Sequence, residues 1–229
     1  MSAASITHGR FHPAGAAGAA LERSSNWSGY AVTGASYRQV TGSWTVPTVR
    51  VTTSNGYAAD WVGIGGDGSQ DLIQAGTSEE SVNHHATYYA WTEILPAPEV
   101  RISGFAIHPG DAVTVDVSQA GVGSWRITLT DHTSGQSYSK SLAYASTNRS
   151  AEWIHEAPTV GGTQARLAAT SNANFDLGSV NGGPAIGSAG TRHAIQLIGS
   201  LDSTPSGLDG DADGFAVADG SAAPPPPPS

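Results

Sequence analysis

The chain has 229 residues and no cysteine, which excludes a disulfide scaffold, thiolate zinc sites and a cysteine nucleophile. Nineteen acidic residues against 10 Lys+Arg give a net charge of -9, which argues against nucleic acid and anionic membrane as partners. Charged residues make up only 13%, about half the usual quarter, and 29 Gly with 13 Pro favour many short elements joined by turns.

Residues 1–23 lack the apolar run of a signal peptide and read as a flexible arm or the remnant of a pro-segment, with a helical turn expected at 16–23. From Ser24 onward, β-branched and aromatic residues alternate with polar ones between Gly, Asn, Ser and Pro, and strands are predicted at 29–33, 37–46, 112–118, 125–130, 151–155, 193–199 and 215–218. In AVTVDVS, Val113, Val115 and Val117 share one face while Thr114, Asp116 and Ser118 share the other. Such a series with almost no helical period predicts an all-β, two-sheet antiparallel sandwich over residues 24–221. Residues 222–229 end in five prolines and read as an extended linker or tail. No apolar stretch reaches the ~20 residues of a membrane helix.

Several motifs bear on chemistry. Gly63, Gly65 and Gly68 have the G-x-G-x-x-G spacing, but another short strand follows instead of a helix, so a tight connection is the better reading than a nucleotide site. His84 and His85 are adjacent and would point to opposite faces of a strand, and His155-Glu156 lacks the second His of a zinc-protease helix. No G-x-S-x-G elbow occurs. Asp209, Asp211 and Asp213 open a calcium-loop pattern whose closing Glu is missing, Gly220 standing in that place, so an acidic turn before the last strand is the better reading and a weak calcium site the other, and no other metal or cofactor is expected. Glu152 and Glu156 fall on one face of a strand about 13 Å apart, too far for a glycosidase pair, whose second acid would have to be Glu93 or Asp116. Asn26 and Asn148 stand in glycosylation sequons.

Six blocks, in order, carry a resemblance: SSNWSGYAV (24–32), GSWTVP (42–47), WVGIGGDG (61–68), LIQAG (72–76), YYAWTEILP (88–96) and AEWIHE (151–156). Together the chain resembles the glutamic peptidases, the eqolisins, and most closely their bacterial branch. The resemblance implies a lectin-like sandwich with a concave substrate cleft and catalytic Gln74 and Glu152. It places Trp27, Trp61, Trp91 and Glu93 along the cleft, each Trp having core packing as its other reading. Gly65 and Ser78 stand where fungal relatives usually carry acids. The implied activity is a secreted, pepstatin-insensitive acid endopeptidase, expected as a monomer acting on protein substrates. A Gln amide does not ionise, so it can hold an oxyanion in acid, while a Glu carboxyl can take and return a proton. Gln74 shares its face with Leu72 and Glu152 with Ile154, so both can enter one cleft if their strands belong to one sheet. The alternative from another class is a lectin-like carbohydrate-binding module or glycosidase on the same sandwich. The low charge density suits acid, because protonating the carboxylates removes few ion pairs and leaves modest self-repulsion.

Overall fold

The computed structural model describes residues 4–14 and 21–229. Its strands run in chain order as β1 Ile6–Thr7, β2 Glu22–Ser24, β3 Trp27–Thr33, β4 Gln39–Thr45, β5 Gly56–Gly65 and β6 Leu72–Val82. They continue as β7 His85–Ile94, β8 Val100–Arg101, β9 Ala112–Gly121, β10 Ser124–Asp131, β11 Ser137–Ala143 and β12 Ser150–Glu156. The last are β13 Thr159–Val160, β14 Thr163–Gln164, β15 Ala173–Val180, β16 Thr191–Leu197, β17 Ser203–Pro205 and β18 Phe215–Asp219, with one 3-10 turn at Ile186–Ser188.

One long sheet, ordered β11-β10-β9-β4-β15-β18-β17-β16-β3-β12-β5-β6-β7-β8, curls over so that its two halves face each other. Strands β4, β9, β10 and β15 form the back layer and pack on β5, β6 and β12 of the front layer. The expected antiparallel sandwich is therefore a single sheet folded on itself, with β2 added to β16 as a parallel edge. The shared core takes Val40, Trp44, Val113, Val115, Val117, Ile127, Leu129 and Phe175 from the back, and Val62, Ile64, Ile73, Ala75, Ala90 and Trp153 from the front. Each of these side chains from valine upward contributes roughly 1.5 to 3 kcal/mol by leaving water. The Trp153 indole crosses the core and donates to the Thr41 carbonyl at 2.8 Å, tying the layers together.

The back strands alternate buried and solvent-facing residues, as their sequence period demands. The front strands do not: β12 is buried at every position, and β6 at every position but its last. Their second face is covered too, by a cleft lining and by the N-terminal segment.

Two expectations need correction. The helical turn at 16–23 is contradicted at its described end, where Glu22–Ser24 is a strand; residues 16–20 lie outside the described residues. His84 does not lie in a strand: Asn83 and His84, both with positive φ, form the two-residue turn between β6 and β7, a geometry matched to the strand twist. The Gly-rich connection read at Gly63–Gly68 is present, its first residues still in β5, and the chain turns back from it into the antiparallel β6. The proline tail lies against the back layer, where Pro227 and Pro228 border a cavity with Trp44 and Phe175, and the Gly210 N–H donates to Ser229 Oγ at 2.9 Å.

Candidate active site

The concave face of the front layer is a ladder of three rungs. The first runs Ala31, Glu152, Gly63, Gln74, Glu93 across β3, β12, β5, β6 and β7. The second runs Gly29, Ile154, Trp61, Gly76, Trp91, and the third Trp27, Glu156, Ala59, Ser78, Tyr89. Side-chain parity in a strand has period two, so all these residues face the same way. Glycine and alanine on alternate strands leave room between the large side chains. Gly76 shows how tight this is: a Cβ there would lie 2.1 Å from the Asp60 carbonyl and 2.6 Å from Trp61 Cβ.

Gln74 and Glu152 therefore do project into one cleft, separated by a single strand. Two strand spacings put their backbones roughly 9 to 10 Å apart. Both are fully buried, and neither oxygen of Glu152 nor Oε1 of Gln74 has a hydrogen-bond partner among the described residues. Buried polar atoms are almost always paired, so these three, carried on one rung of the sheet, are candidates to meet a polar reactant. Burial pushes the Glu152 carboxyl well above the usual carboxylate range, and the nearby acids Asp67 and Asp71 add to the shift. The neighbouring Ser150 hydroxyl donates to the Asp67 carbonyl at 3.4 Å.

Trp27, Trp61 and Trp91 lie on the face that carries Gln74 and Glu152, forming one buried apolar cluster with Leu72, Tyr89 and Ile154 that is separate from the inter-sheet core. Trp27 meets Trp61 edge to face at 5.1 Å. Glu93 is at the end of the first rung and accepts from the Gln74 amide at 2.8 Å. Burial raises its carboxyl to about 8 despite the opposing pull of His8.

The cleft holds a peptide, and it is the chain's own. Residues 5–14 cross it in extended form. The Gly161 N–H donates to the Ser5 carbonyl at 2.9 Å, β1 pairs antiparallel with β13, and the Glu99 N–H donates to the Ile6 carbonyl at 3.1 Å. The His8 N–H donates to Glu93 Oε2 at 2.9 Å, and the His8 carbonyl accepts from the Gln74 amide at 2.8 Å. One residue on, the Gly9 N–H donates to Glu156 Oε1 at 2.9 Å and the Gly9 carbonyl accepts from the Trp27 indole at 2.9 Å. The Phe11 N–H donates to the Gly66 carbonyl at 3.2 Å, and its ring packs on the cleft cluster. The segment read from sequence as a flexible arm is thus docked over its described part.

His8 itself is fully buried, stacked on Trp91 with ring centroids 3.8 Å apart. Its Nε2 lies 2.9 Å from Glu99 and its Nδ1 lies 3.3 Å from Glu156. Burial alone would depress the imidazole, but Glu156 and Glu99 outweigh it and raise His8 to about 10. Glu156 also takes the Trp61 indole N–H at 3.0 Å and the Asn26 amide at 3.1 Å. Asn26, one of the two sequon residues, is 1% exposed and serves as a brace for the segment.

Sequence reasoning missed His8 and Glu99. It set Glu156 aside as the distant half of a carboxylate pair, although its place on the face of Glu152 was the available signal. No local signal marks His8 and Glu99, which meet across 91 residues of chain. Asp116, the other acid considered for a glycosidase, sits on β9 in the back layer and accepts from Thr41 at 2.9 Å, outside the cleft. On the core side of the front layer, Asp60 accepts or shares a proton with His155 at 2.9 Å, and Glu79 is buried beside them with both oxygens unpartnered among the described residues. Of the three aspartates of the calcium-loop pattern, Asp209 and Asp213 converge with Asp176, whereas Asp211 is exposed and outside the group. Gly65, at φ 91, could not carry the acid of fungal relatives, because its Cβ would lie 2.5 Å from the Asp71 carbonyl.

A curled all-β sandwich whose concave face binds an extended peptide beside a buried Gln and Glu defines a glutamic-peptidase class of molecule. The family model of the peptidase A4 family matches residues 25–200, and the chain belongs to that family. It is 30% identical to aspergillopepsin-2 of Aspergillus niger over 206 residues, covering 79% of this chain and 73% of that protein. It is 33% identical to scytalidopepsin B of Scytalidium lignicola over 120 residues, covering 52% of this chain and 45% of that protein. Its fold superimposes on the crystal structure of scytalido-glutamic peptidase with a transition-state analogue inhibitor, with a TM-score of 0.68 at 25% identity, covering 85% of this chain and 98% of that one. The chain is a peptidase, and the carbohydrate-binding alternative gives way to that assignment.

Proposed function

We propose that the protein is an acid-acting endopeptidase in which Gln74 and Glu152 together activate water and stabilise the tetrahedral intermediate. The observation that carries this is the placement of both side chains on one rung of the cleft, with a peptide carbonyl held by the Gln74 amide at 2.8 Å. A donor already bonded to a ground-state carbonyl sits where the oxyanion of that carbonyl would grow, and a neutral amide keeps this function at any acidity. Glu152 takes a proton from the attacking water and returns it to the leaving amine. Burial holds the Glu152 carboxyl mostly protonated in acid, so the base is its minor ionised fraction. The same burial makes that fraction the stronger base, and it keeps the proton it takes until the amine leaves.

Glu93 fixes the Gln74 amide, and the Trp27, Trp61 and Trp91 walls grip the substrate backbone and side chains. The same reading makes the protein a secreted monomer that acts on protein chains in acid surroundings and is insensitive to pepstatin, since it uses no aspartate pair. Among the described residues no helix is long and apolar enough to cross a membrane. The test is digestion of casein from acid to neutral pH, with and without pepstatin, by the wild type and by Gln74→Ala and Glu152→Ala. Loss of activity in both folded variants is expected; undiminished cleavage by either overturns the dyad.

A further inference from the structure

We propose that Asp71 is a positioning residue for the reaction, clamping the loop 144–149 to the strand of Gln74 and so fixing where β12 presents Glu152. The inference rests on the Gln74/Glu152 reading. Neither oxygen of Glu152 has a hydrogen-bond partner among the described residues, so no side-chain bond aims it. Its place is set by the backbone of β12, which begins at Ser150, and the segment feeding that strand is the loop 144–149 after β11. Asp71 is the last residue of the turn between β5 and β6, three before Gln74. Its Oδ2 accepts from the Ser146 hydroxyl at 2.7 Å and the Thr147 N–H at 2.6 Å, and its Oδ1 accepts from the Thr147 hydroxyl at 2.9 Å. One carboxylate thus takes two hydroxyls and a backbone amide from adjacent loop residues, and bonds to an ionised acceptor are roughly twice as strong as neutral ones. Burial pushes the carboxyl up, but these bonds and one from Ser69 hold it below its usual range.

The loop has an anchor on each side of this clamp. Upstream, the Tyr144 N–H donates to the Gly123 carbonyl between β9 and β10 at 3.0 Å, and the Tyr144 hydroxyl accepts from the Leu72 N–H at 2.8 Å. Downstream, Asn148 bends the chain into β12 at φ 58 and leans on the approach to β4. Its side-chain amide donates to the Tyr37 carbonyl at 2.9 Å, and its carbonyl accepts from the Tyr37 N–H at 2.9 Å. Between these anchors, Ser146 and Thr147 are tied to the front layer by Asp71. The clamp reaches past the end of β5, the strand that separates Gln74 from Glu152, where Gly65 leaves room: a Cβ there would lie 3.1 Å from Asp71 Oδ2. Without it, the stretch next to β12 follows Tyr37 and the back layer, and the separation of Glu152 from Gln74 is no longer set by β6. A displacement near 1 Å is worth on the order of 100-fold in rate. Trp27, Trp61, Trp91 and Glu93 stand on β3, β5 and β7, so the loss falls on turnover and leaves substrate binding in place.

The experiment measures kcat and KM for casein cleavage in acid by the full chain, by Asp71→Ala, by the pair Ser146→Ala with Thr147→Val, by all three together and by Glu152→Ala. Asp71→Ala is expected to lower kcat about 10- to 100-fold with KM within about twofold. The loop pair should lower kcat by a smaller factor, because the Thr147 N–H keeps its bond to Asp71. Added to Asp71→Ala, the pair should lower kcat no further, since both act through one set of bonds. Thr147→Ser, which keeps the hydroxyl, should retain the wild-type kcat. A wild-type kcat in Asp71→Ala overturns the inference, as does a loss confined to KM or a triple variant in which the separate losses multiply. In each of those cases an inactive Glu152→Ala leaves the dyad standing, whereas an active Glu152→Ala overturns the dyad and the inference together. If Asp71→Ala does not fold, the loop pair decides: a lower kcat at unchanged KM upholds the clamp, and a wild-type kcat overturns it.

Discussion

Glu152 and Gln74 stand on the same rung of one sheet, and the only residue between them is Gly63. A Cβ at Gly63 would lie 3.0 Å from Leu72 and Trp61 side-chain atoms and 3.1 Å from Gln74 Cβ, so the position has room for hydrogen and little more. The backbone there is ordinary strand, and no positive φ demands glycine. The side-chain space does.

Gly63→Val follows directly as a test. Valine suits strand geometry, so overpacking of about 1 to 3 kcal/mol is the expected cost in stability. The branched side chain would push Gln74 away from Glu152, and a displacement near 1 Å is worth on the order of 100-fold in rate. Casein turnover should fall by that factor while the circular dichroism spectrum stays that of the wild type. A fully active Gly63→Val would mean that the gap has no part in catalysis.

Glu93 acts through Gln74 in the proposed mechanism. Its Oε2 accepts from the Gln74 amide at 2.8 Å, which fixes which way the amide faces. Glu93→Ala removes the only side-chain anchor Gln74 has among the described residues, and kcat should fall roughly 10- to 100-fold with KM little changed. Glu93→Gln keeps a carbonyl acceptor and should restore most of the rate. Equal loss in both variants would point to a charge effect instead of positioning.

How much of this was legible beforehand depends on which layer is considered. Val113, Val115, Val117, Ile127 and Leu129 alternate with polar residues because the back layer has one wet face, and their period reveals the strands directly. The front layer hides its period. Every residue of β12 is buried, so Glu152, Trp153, Ile154, His155 and Glu156 give no in-and-out pattern, and only strict strand parity puts Glu152 and Glu156 together. The resemblance supplied Gln74 and Glu152, while the intervening strand was visible only as the glycine pattern beginning at Gly63. The docking of His8 could not be read at all. It depends on contacts between residues 85 and 147 positions apart, made by a segment with no strand pattern of its own.

Glu156 illustrates a polar group whose partners are all donors. It accepts from Gly9, Asn26 and Trp61 and faces the His8 ring. In Glu156→Gln one acceptor oxygen becomes an NH2 pointed at other donors. The expected cost is about 1 to 3 kcal/mol, the price of a buried unsatisfied group, read as a lower urea midpoint at neutral pH. An unchanged midpoint would show that the segment residues contribute nothing to the stability of the cleft.

Stability itself should fall as pH rises, and the buried acids give the reason. Eight of the 19 acidic residues are buried: Asp60, Glu79, Glu80, Glu93, Asp111, Asp131, Glu152 and Glu156. Burial raises Glu79, Glu80, Glu93 and Glu152, with Asp60 adding to the shift at Glu79. An acid whose folded pKa is raised holds its proton more tightly in the native state. Its contribution is complete below the unfolded value of 4.5 and disappears as pH climbs through the folded value, about 8 for Glu93. His8, raised from 6.5 to about 10, works in the same direction over a higher window, being most favourable while protonated. Asp71 and Asp131 oppose them: burial pushes both up, but bonds from Ser146, Thr147 and Ser69 hold Asp71, and bonds from Ser134 and Thr133 hold Asp131, below the usual range, so their contributions are lost in strong acid. The four raised carboxyls outnumber these two. The melting temperature should therefore decline steadily from about pH 4.5 to 8, and Glu79→Gln, which cannot ionise beside Asp60, should flatten that decline. A melting temperature that rises over this range would contradict the account. The low charge count fitted the chain for acid by leaving few ion pairs to lose, and the buried carboxyls go further, because acid is the condition in which they are neutral and at ease in the core.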